Sequence, residues 1–66
     1  MNKQQFLAAI AAKLQGLPQA DIERSLDFWG EMVDDRMEDG MTEEDAVAAL
    51  GSAEDIAAQI LMDTPL

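Results

Sequence analysis

The 66-residue chain contains no cysteine, no histidine and no tyrosine. Disulfide staples and Cys/His zinc sites are therefore excluded, and nothing argues for an oxidising compartment. Without histidine, a serine nucleophile lacks its usual activating base. Basic residues are also few, with four lysines and arginines against fourteen acids and a net charge of -10. Nucleic-acid binding rests on lysine and arginine neutralising phosphates, so direct contact with nucleic acid is not expected. An anionic membrane surface is disfavoured for the same reason, whereas a basic protein partner is compatible. Long apolar runs are absent too. The longest, Phe6 to Ala12, falls far short of the roughly 20 residues that span a bilayer. No signal-peptide pattern precedes it, and the chain is expected to be soluble and cytosolic. Its ending, "MDTPL", reads either as a natural terminus or as a cut inside a longer protein.

A chain of this size forms at most one small domain, which buries only about 60% of the surface its unfolded form exposes. Core packing, a partner, or both must hold it together. Apolar residues recur at intervals of three and four, and no segment alternates as a strand does. In the first segment they are Phe6, Leu7, Ile10 and Leu14. Asn2 can cap this helix, and Gln5 completes a capping box. "QGLP" stops it, with Gly16 suited to a left-handed position and Pro18 to the first turn of the next helix.

The second segment, from about Pro18 to Asp39, carries the stripe Ile22, Leu26, Trp29, Val33 and Met37. That stripe is one face of an α-helix about 30 Å long at 1.5 Å per residue. Gly30 interrupts it, either as a weak spot costing about 1 kcal/mol against alanine or as a place where a neighbouring backbone comes close. Gly40 ends this helix. Thr42 caps a third, from about Glu43 to Leu50. Gly51 ends that one, and Ser52 caps a fourth carrying Ile56, Ala57, Ile60 and Leu61. Acids follow each hydroxyl cap, where the helix dipole favours them. The fold expected is all-α, a compact bundle of four helices with a long second helix and short third and fourth helices. Its core is expected to hold Phe6, Leu7, Ile10, Leu14, Leu17, Ile22, Leu26, Trp29, Val33, Val47, Leu50, Ile56 and Ile60.

The stretch "DDRMEDGMTEEDA", residues 34–46, is dense in acids around a glycine. A calcium loop aligned on Gly40 would place Met37 at the third ligand position and Ala46 at the twelfth, where a bidentate glutamate is required. The stretch reads better as a helix end, a turn and a helix start, and no metal or other cofactor is expected. Paired carboxylates abound, but a glycosidase pair needs a sugar-holding cleft, which a helical domain this small is not expected to form. No catalytic residue is therefore assigned, and the chain is not expected to be an enzyme. Small acidic helical domains include acyl carrier proteins, whose Asp-Ser-Leu motif at a helix start carries a phosphopantetheine arm. Here Ser25-Leu26 follows Arg24 inside the second helix, so a carrier role is an alternative rather than the leading reading.

The most informative pattern lies on the second helix. Glu23, Asp27, Glu31, Asp34 and Glu38 follow steps of four, four, three and four and form one acidic ridge. Like charges at these spacings repel by about 0.2–0.5 kcal/mol per pair, so stability alone would favour alternating signs. The ridge is either a solubility face or an electrostatic docking face for a basic partner. Phe28 and Met32 lie about 100° or more around the helix from the stripe. They are expected to be covered by another helix, with an exposed apolar contact as the alternative. The candidate partner-binding residues are thus Glu23, Asp27, Phe28, Glu31, Met32, Asp34 and Glu38.

In order along the chain, "FL..I...L.GLP", an aromatic pair followed by acids, "G..EE" and "LGS...IA..I" resemble the HAAS domain, the helix-turn-helix-associated alpha-helical signalling domain. The matching residues are Leu14 to Pro18, Phe28-Trp29 with Glu31 and Asp35, Gly40 with Glu43 and Glu44, Leu50-Gly51, Ile56-Ala57 and Ile60. Three positions depart from the family pattern, Ala53 standing where proline is common and Phe28-Trp29 where two tyrosines are usual. Any role that needs a tyrosine hydroxyl is thereby removed. The resemblance implies a non-enzymatic signalling or interaction module at the cytosolic amino terminus of a bacterial inner-membrane protein. It implies a PadR-type helix-turn-helix regulator as partner, with the DNA contact made by that regulator. On this reading residues 1–62 are the domain, residues 63–66 begin a linker or tail, and any membrane segment lies beyond Leu66. A simple homodimer that supplements a small core is a further alternative.

Overall fold

The computed structural model describes residues 1–63, which form α1 (Lys3–Lys13), α2 (Gln19–Glu38), α3 (Glu43–Leu50) and α4 (Ala53–Asp63). Side-chain oxygens start three of the four. The Asn2 Oδ1 accepts from the Gln5 N–H at 2.8 Å while the Gln5 side chain accepts from the Asn2 N–H at 3.0 Å, a complete capping box. The Thr42 and Ser52 hydroxyls accept from the N–H groups of Asp45 and Asp55, each at 3.1 Å. Helix α2 instead follows Pro18, whose missing N–H costs nothing at a helix start.

The acidic stretch at residues 34–46 resolves into a stop and a start. The Met41 N–H donates to the Arg36 carbonyl at 3.1 Å and the Gly40 N–H to the Met37 carbonyl at 3.0 Å. This paired arrangement is a Schellman motif, and it needs a residue of positive φ at its turn. Gly40 supplies it, with φ of 104°. The first half of the would-be calcium loop is therefore the last turn of α2, and its second half is the capped first turn of α3.

Helix α1 is the centre of the bundle and packs against each of the other three, while α2 also packs on α3. Its Phe6, Ile10 and Leu14 are fully buried together with Val33 of α2. Ile22, Leu17, Val47 and Ile56 complete the larger core side chains. Three alanines, Ala46, Ala53 and Ala57, are buried as well. They let the short α3 and α4 lie close to α1. Among the described residues no polar or charged side chain is buried.

Several expectations are corrected. Leu7, Leu26, Trp29, Leu50 and Ile60 are not fully buried but pack against the core from its edge. Met37, the last member of the α2 stripe, is 40% exposed. Lys3, the first residue of α1, lies against Gly30 and Asp34, so α1 begins opposite that level and does not reach Met37. At Gly30 the neighbour is a pair of side chains and not a backbone. A β-carbon placed there would lie 3.4 Å from Lys3 Cε and 3.5 Å from Leu7 Cδ1. Of the expected linker, Asp63 is the last residue of α4, and residues 64–66 lie outside the described residues. No helix among the described residues is long and apolar enough to cross a membrane.

Candidate functional site

Glu23, Asp27, Glu31, Asp34 and Glu38 are all solvent-exposed along one side of α2. The helical spacing that brings them together is undisturbed, because α2 is continuous from Gln19 to Glu38. One of the five is engaged. Lys3 Nζ donates to both carboxylate oxygens of Asp34, at 3.0 and 3.1 Å. The Lys3 N–H also donates to Glu43 Oε2 at 3.1 Å, so a single residue ties the start of α1 to α2 and α3. The other four ridge carboxylates have no cationic partner among the described residues; the second ion pair there joins Arg24 to Asp21, off the ridge, at 3.7 Å.

The expected burial of Phe28 and Met32 is only partly met. Met32 is half-buried, but Phe28 is 55% exposed, which corrects the expectation that another helix covers it. The reason is the packing order: α2 and α4 each lie on α1 rather than against one another, and the side of α2 that bears Phe28 is left open. The Phe28 ring stands edge-on to Trp29 with centroids 5.2 Å apart, a geometry in which one ring edge meets the other's face.

The space between α2 and α4 is an open groove of about 680 Å³. Phe28, Trp29 and Ile60 give it apolar walls; Asp21 and Asp63 give it acidic ones. Ser25, the residue of the carrier alternative, lines the same groove from the middle of α2 and is half-buried there. On the other side of the ridge, Asp27, Glu31 and Asp34 border a smaller cleft against Lys3 and Leu7 of α1. The acidic face is thus set between two depressions, one of them apolar.

Sequence spacing identified the ridge but not the groove. Asp21, Arg24, Gln59 and Asp63 come together only because α4 folds back beside the first half of α2. The remaining signal was the chain's pair of adjacent aromatics, Phe28-Trp29, one of which must turn away from a one-sided apolar stripe.

Neither the curated proteins nor the solved structures contain a match to this chain. The family model for HAAS covers residues 5–59, from the first turns of α1 well into α4, and by that match the chain belongs to the HAAS family.

Proposed function

We propose that this HAAS domain is a non-enzymatic signalling module that docks a basic protein partner through the acidic side of α2. The carrying observation is that Glu23, Asp27, Glu31 and Glu38 stand exposed on one helix face without cationic partners among the described residues. Four like charges so placed oppose helix stability, and a surface of one sign speeds and orients encounter with a surface of the other. Following the family resemblance, the partner is a PadR-type helix-turn-helix regulator. The domain would then belong to the cytosolic part of a membrane-linked protein, with DNA bound by the regulator alone.

The test is a dissociation constant for the domain with a PadR-type regulator from the same organism, measured at low and high salt. An Asp27→Lys/Glu31→Lys variant is measured beside the parent. Asp34 is left unchanged because Lys3 already holds it. Exposed charge attraction is screened over about 10 Å at 0.1 M salt, so affinity should fall with salt and with charge reversal together. Binding that ignores both changes would remove the acidic face from the reading.

A further inference from the structure

The groove between α2 and α4 is a separate feature from the ridge and asks for a different kind of contact. It runs beside residues 21–29 of α2, which is about 12 Å at 1.5 Å per residue, or roughly two helical turns. Phe28 is the most exposed aromatic surface on it, and Trp29 and Ile60 sit half-buried beside it. Asp21 and Asp63 contribute acidic groups, and the single cation, Arg24, is already paired with Asp21. Glu23, Asp27 and Glu31 extend the negative charge along the adjacent side of α2.

Resting on the reading of this domain as a dock for a basic protein, we infer that the α2/α4 groove receives the apolar edge of a basic amphipathic helix, with Phe28 as the anchor contact. Charge complementarity selects this occupant. A second copy would bring another net charge of -10 against the first, and an anionic lipid surface is repelled by the same field. A helix with apolar residues at i, i+3, i+4 and i+7 presents a narrow edge that fills a two-turn groove. Lysines or arginines on its flanks meet Asp21 and Asp63 on one side and the ridge on the other.

Trp29 is the only tryptophan in the chain and lines the groove, so its emission reports occupancy directly. The probes are two synthetic peptides without tryptophan. One is built of leucine and lysine with leucines at helical spacing, and the other has the same composition in scrambled order. The amphipathic peptide is expected to shift Trp29 emission and to bind about tenfold or more tightly than the scrambled one. Phe28→Ser, a change at an exposed position that should leave the circular dichroism spectrum intact, is expected to remove about tenfold of that affinity. Asp27→Lys/Glu31→Lys should weaken both peptides. Equal binding of the two peptides with no change at Trp29 overturns the groove inference and leaves the acidic dock standing. Binding of neither peptide overturns the inference and counts against the dock as well. Two results without peptide also overturn it. A concentration-dependent Trp29 shift with dimer formation in sedimentation assigns the groove to a second copy. A Trp29 shift on deleting residues 64–66 assigns it to the chain's own end.

Discussion

Replacing Gly30 by alanine should stabilise the domain, although the residue is buried where two helices meet. Glycine inside a helix is about 0.8–1.0 kcal/mol less favourable than alanine. The sign of the change depends on whether the added methyl fits. Its nearest neighbours would be Lys3 Cε at 3.4 Å and Leu7 Cδ1 at 3.5 Å, both ordinary van der Waals separations. Both atoms are at or near the ends of flexible side chains, so a few tenths of an ångström can be absorbed without moving α1. Part of the methyl's own transfer free energy, up to about 0.8 kcal/mol, is gained in addition. The expected net gain is about 1 kcal/mol, which in a domain of this size raises the melting temperature by about 4–8 °C. Thermal and urea unfolding followed by far-UV circular dichroism measure it, with an unchanged denaturant slope showing that the unfolding transition itself is the same. A fall in stability would refute the reasoning. It would mean that α1 and α2 are locked at a separation that accepts no methyl. The Lys3→Ala/Gly30→Ala double variant then identifies whether the lysine stem or Leu7 is the obstacle.

Gly40→Ala should act in the opposite direction, costing about 1 kcal/mol or more, because the φ of 104° at the α2 stop is strained for any residue with a β-carbon; the same unfolding assay reads it. Phe6→Ala empties a position of zero exposure at the centre of the core. Its cost of about 3–5 kcal/mol rivals the whole stability a core this small supplies, about 3–5 kcal/mol, so the helical circular dichroism signal should be largely lost at room temperature. Lys3→Ala removes the Asp34 ion pair, whose two side chains are 33% and 55% exposed. The loss should be at most about 1 kcal/mol and should shrink as salt is raised; a salt-independent loss would assign Lys3's contribution to its stem packed over Gly30.

The helices were written locally. Asn2, Thr42 and Ser52 each accept the N–H three residues on, and Gly40 with its Schellman bonds marks the stop of α2. These signals involve neighbours along the chain, so they are legible without knowing what packs on what. The ridge from Glu23 to Glu38 was legible for the same reason: residues three and four apart on a continuous helix share a face whatever surrounds it. Pattern alone also separated the acidic turn at residues 34–46 from a calcium loop, since Met37 and Ala46 stand at ligand positions.

Burial could not be read this way, because it depends on which helix lies over which residue. The stripe from Ile22 to Met37 is uniform in sequence, yet Val33 is fully buried and Met37 is 40% exposed, because α1 begins opposite Gly30 and Asp34. Ala46, Ala53 and Ala57 enter the core because short helices approach closely, which small side chains permit but do not announce. The pairing of Lys3 with Asp34 spans 31 positions of sequence and only appears when α1 folds back on α2. By itself, then, the sequence determined the four helices, their ends and the acidic face. The tertiary structure decided the rest by setting α2 and α4 on α1 rather than on each other. That arrangement leaves Phe28 in solvent and opens the groove beside it, and it arises from the relative placement of two surfaces that no local spacing encodes.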